Sequence, residues 1–331
     1  MNIPTGREDI AALFKNCLTN KKLGQAYIIH GAEGMGKKTV MRYILSLVMC
    51  ESNSSCGVCP SCRSLVAGAH PDVVQVRRPE TRASIGVDSV RSLLSEVYIR
   101  PVLAQYKAVV VHEAHLLTPE AQNAMLKIIE EPPDKVVFFL LCDTLAPILQ
   151  TVMSRSVTVN LRPLSVAELK NISGSEVRDF ELHYCMGNPG KLKTLVSDSG
   201  FSALRNEVVD RFVKISSDDA YTVYEAVQFF DKSKENRDEI FGILLLFVRD
   251  VLYKSLGMDK LIINRDKINQ INVFGECTGA KALCKIMQII LNTQIQKGKN
   301  GNYTIAVTTM LFKCREEING RSDRNQIQKN G

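Results

Sequence analysis

The stretch Tyr27–Cys62 constrains the fold most. A short apolar run, Tyr27-Ile28-Ile29, leads into the glycine-rich turn GAEGMG at 31–36, and a helix-forming segment follows from about Lys37 to Met49. A buried strand, a tight turn and a helix in that order make the first half of a βαβ unit, whose helix must pack back over a parallel sheet. Four cysteines follow at once: Cys50, Cys56, Cys59 and Cys62. A phosphate cradle and a metal knot therefore lie back to back in one segment.

The chain beyond repeats the strand–helix alternation. Helical spacing of Ile10, Leu13, Phe14, Cys17 and Leu18 predicts a helix over 8–20. Strands are predicted at Asp72–Val76, Lys107–His112, Val136–Cys142 and Val157–Asn160. The runs KAVVVH and VVFFLLC are apolar without alternation, as strands covered on both faces are. Helices are predicted at 87–98, from Pro119 to about Glu131, and at Ile148–Arg155; Thr118 serves as N-cap with Pro119 at the first position, and Pro132-Pro133 stops that helix. A parallel α/β sheet domain ending near Arg162-Pro163 results. Short helices fill 164–199, and from Phe201 helices are expected at 203–215, 218–231, 235–256, 260–274, 278–297 and 302–318. FGILLLFVRDVLYKSLG is the most apolar of these and belongs at the centre of a helical domain. The tail NGRSDRNQIQKNG has few apolar groups and is expected to fray. The expected organisation is a nucleotide-fold domain over 1–163, a small helical lid over 164–200 and an all-α domain over 201–331.

Composition excludes several classes. With 45% hydrophobic and 23% charged residues the chain can bury a substantial core. Lys plus Arg number 42 against 35 Asp plus Glu, a mildly basic balance compatible with a polyanionic partner. The start, MNIPTGREDIAALF, does not read as a signal peptide, and no run of about 18 apolar residues suggests a membrane span. Ten cysteines, four of them clustered and the rest mostly in apolar surroundings, fit a reducing cytoplasmic compartment better than a disulfide scaffold.

Gly31, Gly36 and Lys37 match the first seven positions of the phosphate-binding pattern G-x-x-x-x-G-K-[ST], with Gly34 inside the turn. Backbone N–H groups and the helix N-terminus would hold phosphate oxygens, and Lys37 would reach the terminal ones. The pattern then fails. Lys38 stands where a hydroxyl should hold Mg²⁺, and Thr39, one residue late, points about 100° away round the helix. The acidic strand end is altered too: VVVHEAH keeps Glu113 but has His112 and His115 where acids are needed. Losing the hydroxyl and the Asp together removes both main protein supports for the metal. Three readings stay open for Gly31–Thr39: a strand–helix turn only, ATP binding without turnover, and Mg²⁺-dependent hydrolysis, the last weakest. His112 reads as a locally satisfied strand-end histidine.

Cys50-x₅-Cys56-x₂-Cys59-x₂-Cys62 is a strong metal signal. Four thiolates suit tetrahedral Zn²⁺, with Gly57 and Pro60 helping the chain turn. Four protein ligands leave no open position, so the zinc would be structural. An iron–sulfur cluster, and His70 replacing one sulfur, are the rivals.

GAEGMGKKT, the cysteine insertion, VVVHEAHLLTPEAQNAMLKIIEEPP, Ser-Arg-Ser at 154–156 and GNPGK at 187–191 together resemble the delta-prime family of bacterial DNA polymerase III clamp-loader subunits, within the AAA+ ATPases. The resemblance covers about the first 200 residues. It implies that Arg155 acts as an arginine finger in trans, in the ATP site of a neighbouring subunit, and that Lys191 occupies the second sensor position. Ser156 replaces the cysteine of the family's Ser-Arg-Cys motif, while Asn188 and Gly190 read as turn residues. It also implies a stator in a hetero-pentamer with tau/gamma and delta subunits, weak contact with the sliding clamp, access to primer–template DNA through the complex, and no membrane partner. No intrinsic catalysis is expected; polymerase activity would belong to the holoenzyme. The alternatives are the ATP-hydrolysing tau/gamma motor subunit and a free-standing AAA+ DNA-repair or recombination ATPase.

Overall fold

A computed structural model describes residues 1–174, 177–217, 219, 221–296 and 302–320. These fall into two compact units, Met1–Gly174 with Gly187–Lys191, and Ser175–Met186 with Leu192–Gly331.

The first unit is built on five strands: β1 (Ala26–His30), β2 (Val73–Val76), β3 (Lys107–Val111), β4 (Val136–Cys142) and β5 (Val157–Asn160). They lie in the order β2-β3-β4-β1-β5 and every pairing is parallel. The central strands β3 and β4 are buried throughout, which is why they read as unbroken apolar runs. Successive side chains alternate between two cores. Tyr27, Ile29, Val110 and Phe139 face the helices α1 (Glu8–Thr19) and α2 (Lys37–Val48). Ile28, Val109, Phe138 and Leu140 face α4 (Val87–Val97) and α5 (Pro119–Glu130), while α3 (Pro60–Val66) follows the cysteine loop. Phe14, Tyr27 and Phe139 form an aromatic cluster with ring centroids 4.8–6.2 Å apart. Removing one such ring should cost about 3–5 kcal/mol. The unit closes with α6 (Gln150–Met153) and α7 (Val166–Ser173). This is the parallel α/β arrangement expected of the AAA+ class.

Local signals explain most element boundaries. Thr118 caps α5 by accepting from Ala121 N at 3.2 Å, with Pro119 in the first turn. The strand expected to start at Asp72 starts at Val73, with Asp72 O still accepting from Ala108 N at 2.9 Å; the Asp72 carboxylate has partners of its own. It accepts the backbone N–H groups of Val102, Leu103 and Ala104, each at 2.7 Å. Burial opposes ionisation of Asp72, but these three donors outweigh it and hold its carboxyl below the usual range. The helix expected over 148–155 is confined to Gln150–Met153.

The second unit contains α8 (Asp179–Tyr184), α10 (Ser199–Lys214), α11 (Tyr221–Lys232), α12 (Arg237–Ser255), α13 (Ile268–Cys277), α14 (Ala280–Gln296) and α15 (Tyr303–Asn319); α9 (Pro189–Ser197) begins in the first. As the apolar run predicts, α12 is central: Leu244, Phe247, Val248 and Val251 are fully buried, and it packs on α10, α13 and α14. The helix expected over 260–274 does not form as one element. Asp250, fully buried on α12, accepts from Ile263 N at 3.1 Å and Asn264 N at 2.7 Å. Those donors are thereby withdrawn from a helical ladder, and the segment takes two 3₁₀ turns before α13 begins at Ile268. Arg205 ties the same turn down through Asn264 and Asp266. Of the cysteines outside the cluster, Cys142, Cys185 and Cys314 are buried, but Cys277 and Cys284 are exposed, against the apolar surroundings expected. The predicted frayed tail falls, from residue 321 onward, outside the described residues, as does the end of the 278–297 helix. Among the described residues no helix is long and apolar enough to cross a membrane.

Candidate functional site

The glycine turn sits at the C-terminal end of β1, the edge where ligands bind in open parallel sheets. Gly34 and Gly36 have φ of 82° and 87°, conformations glycine adopts without strain. Gly36 is the N-cap of α2 and supplies no side chain, so the first N–H groups of the helix are left for another partner. The geometry of a phosphate cradle is therefore present.

Its chemistry is altered by the residues around it. Lys37 donates from Nζ to Gly31 O at 2.5 Å and Ala32 O at 2.9 Å, and pairs with Asp143 at 2.5 Å. The ammonium is turned into its own loop and neutralised by a carboxylate at the end of β4. Asp143 also lies 3.7 Å from His115 Nε2, and its N–H donates to His115 Nδ1. Glu113, at φ 50°, pairs with Arg78 at 3.7 Å rather than with any group of the loop. His112 Nε2 meets Gln75 Oε1 at 3.1 Å, the local partner expected for it. Burial, with Arg77 and Lys38 adding to it, pushes the His112 imidazole down to about 4. Lys38 and Thr39 open α2 on the same side.

The GNPGK turn docks on the loop. Gly190 N donates to Gly34 O at 2.9 Å, and Asn188 Nδ2 donates to Glu33 O at 2.7 Å. Asn188 Oδ1 accepts from Lys191 N at 3.0 Å, which places Lys191 in the first turn of α9. A Cβ on Gly190 would come within 2.7 Å of Gly34 Cα. Asn188 and Gly190 are thus more than turn residues: they clamp the glycine loop. Nothing in the spacing of GNPGK names the surface it will meet.

Arg155 follows α6 at the surface. Its Nε pairs with Glu130 at 2.6 Å and its NH1 donates to Thr151 O at 3.0 Å, leaving the side chain 40% exposed. Glu130 and Asp143 are the residues sequence reasoning missed. Both are ordinary acids in sequence and become informative only through the cation each faces.

The four cysteines converge as their spacing predicts. The Sγ atoms of Cys50, Cys56, Cys59 and Cys62 all lie within 4.8 Å of one another. The Cys56 and Cys62 sulfurs are 4.0 Å apart, close to the roughly 3.8 Å edge of a tetrahedron with 2.3 Å metal–sulfur bonds. The turn is tighter than a loop. Cys59 caps α3 by accepting from Cys62 N, and Cys56 N and Cys59 N donate to the sulfurs of Cys50 and Cys56. Burial would raise the Cys50 thiol, but Ser52 and backbone N–H donors bring it down to about 5. Burial and the neighbouring thiols push Cys62 up to about 12. Four sulfurs this close cannot all ionise unaided, and a cation removes that conflict. His70 is not turned to the sulfurs: Nε2 meets Ser61 Oγ at 2.7 Å and Nδ1 accepts from Asp72 N. The cluster can therefore hold a metal ion with four cysteine ligands.

Comparison with known proteins identifies the family. Residues 6–165 match the family model described as DNA polymerase III, delta subunit, and residues 199–316 match that of its C-terminal region. The delta-prime subunit of DNA polymerase III from Yersinia pestis is 37% identical over 133 residues, 39% of this chain and 39% of that protein. The tau subunit from Escherichia coli is 28% identical over 169 residues, 50% of this chain and 26% of that protein. This chain thus spans between about a quarter and two fifths of these two relatives. A gamma subunit-related protein of Thermotoga maritima superposes with a TM-score of 0.42 at 19% identity, covering 94% of this chain and 99% of that one. With family models matching both its sheet domain and its helical C-terminal region, the chain belongs to the DNA polymerase III delta-subunit family.

Proposed function

We propose that this protein is a delta-prime-type clamp-loader subunit, a stator that helps place the sliding clamp on primed DNA without hydrolysing ATP itself. The observation that carries this reading is a contrast within one unit. The two metal-supporting positions hold Lys38 and His112, and Lys37 is paired with Asp143, while Arg155 stands at the surface. Hydrolysis at Gly31–Thr39 would need a Mg²⁺ support that these residues do not provide. A guanidinium at a subunit boundary can neutralise charge developing on a neighbour's γ-phosphate. In that role Arg155 exchanges Glu130 for phosphate oxygens.

The remaining roles follow. Residues 1–163 form the nucleotide-fold domain, 164–200 the lid and 201–331 the collar that binds tau/gamma and delta subunits in a hetero-pentamer. Clamp contact is weak and DNA is reached through the complex. Cys50, Cys56, Cys59 and Cys62 hold a structural Zn²⁺, and Lys191 takes the second-sensor position at the start of α9. The purified chain tests the division of labour. It should show no Mg²⁺-dependent ATP turnover alone and should be required when the loader is assembled from its subunits. Turnover by the isolated chain would assign it to the motor subunits instead.

A further inference from the structure

Beside the glycine loop, and separate from it, lies a cleft of about 420 Å³. One wall is the first turns of α2, with Lys38, Thr39 and Arg42; the other is formed by Gln75, Arg77 and His112 at the ends of β2 and β3. None of Gly31, Gly34, Gly36 or Lys37 lines it. Its electrostatics are one-sided. Lys38, Arg42 and Arg77 bring three cations, and no carboxylate is among the lining residues. Three acids of neighbouring segments have partners outside the cleft, Asp72 with three backbone N–H groups, Glu113 with Arg78 and Asp143 with Lys37, although Glu113 also acts on His112. Arg77 and His112 share one acceptor, Gln75 Oε1, at 3.0 and 3.1 Å, which fixes that wall. Among the described residues Lys38 and Arg42 have no ion-pair partner. The first turn of α2 carries no acid, so the positive end of the helix adds to the same field. Burial first, and then Arg77 and Lys38, hold the His112 imidazole in its neutral form inside the cleft.

We propose that this cleft binds an oligophosphate without a metal ion. A cradle that works through Mg²⁺ needs oxygen ligands for the metal. Here the position of the metal-binding hydroxyl holds Lys38, which lines the cleft and supplies positive charge from the protein itself. Three cations spread over two walls match a chain of phosphates better than a single one. No phenylalanine or tyrosine lines the cleft, and its His70 and His112 rings are each held by hydrogen bonds, so it offers little stacking surface to nucleic-acid bases. The ligand is recognised through its phosphates, whether it arrives as free oligophosphate or as the triphosphate tail of a nucleotide. This inference does not depend on the clamp-loader reading.

Calorimetric titration of the full chain with tripolyphosphate tests it. Binding should persist in a chelator and weaken with added salt as the cations are screened. Excess Mg²⁺ should weaken it too, by sheathing the ligand's charge. Arg42→Glu and Arg77→Glu, both at exposed positions, should each raise Kd at least about tenfold, as expected for reversing one charge-assisted contact, with the circular dichroism spectrum unchanged. ATP competing with tripolyphosphate in the absence of metal identifies the nucleotide tail as a source; failure of ATP to compete assigns the cleft to free oligophosphate. Binding that requires Mg²⁺, or is lost in Lys37→Ala, would place the ligand in the glycine loop and overturn the proposal. No heat of binding at millimolar tripolyphosphate, or tight capture of a single-stranded oligonucleotide that tripolyphosphate does not displace, would also overturn it.

Discussion

The glycine loop and the cysteine cluster are the two ends of one helix-spanning segment, and they have opposite kinds of completeness. In the loop, Lys37 is matched by two carbonyls and Asp143, and the carbonyls of Glu33 and Gly34 are taken by the GNPGK turn. Its lysine and these carbonyls are answered from within the chain, while the first N–H groups of α2 are left without a side-chain cap. In the cluster, four sulfurs approach one another with one thiol pushed down to about 5 and another up to about 12. That arrangement is one a metal cation can answer. A motif can thus keep its backbone form after its chemistry has been absorbed by neighbours, while a ligand set shows its need in its own geometry.

The largest effect should come from emptying the cluster. Metal analysis should find about one zinc per chain, and Cys62→Ser or chelation under mild acid should release it. The loss should cost several kcal/mol and lower Tm markedly, since metal binding and local folding are one process. A brown, iron-containing protein would break the comparison on this side. A smaller effect is expected from Gly190→Ala. The added Cβ meets Gly34 Cα at 2.7 Å, backbone that cannot turn aside, so destabilisation of about 1–3 kcal/mol is expected. Hydrogen exchange should quicken at residues 31–36 while the cysteine module stays protected; equal loosening of both would show that they are not independent. An effect of no greater size, since His112 is only partly buried, is a pH dependence. The folded chain holds His112 at about 4, below the ordinary histidine value near 6.5, so the unfolded chain takes up the proton first. Stability should therefore fall as pH drops from about 6.5 to 4, and His112→Gln should flatten that slope in urea titrations.

Much of this was legible in the sequence, for identifiable reasons. Apolar runs without alternation at Lys107–Val111 and Val136–Cys142 mark strands covered on both faces, and the parallel sheet follows from them. The CxxCxxC spacing carries its own geometry, so the cluster could be read before it was seen. The clamp on the loop could not. Asn188 reaches Glu33 across 155 positions, and that contact depends on tertiary packing rather than local pattern. The same holds for Asp143 against Lys37, and for Asp250, whose carboxylate rewrites the 260–267 segment from helix to turns. Long-range polar pairs override helical periodicity because a buried carboxylate must find donors wherever they lie.

The central claim is that this chain acts through Arg155 on a neighbour and not through its own loop. Steady-state, DNA-stimulated ATP turnover by a reconstituted loader, measured with Arg155→Ala and Lys37→Ala side by side, tests it most directly. The account predicts that Arg155→Ala lowers turnover by at least about tenfold, a conservative share of the effect of a trans-acting arginine, while Lys37→Ala stays near the unmodified loader. Unchanged turnover with Arg155→Ala, or collapse with Lys37→Ala alone, would contradict it.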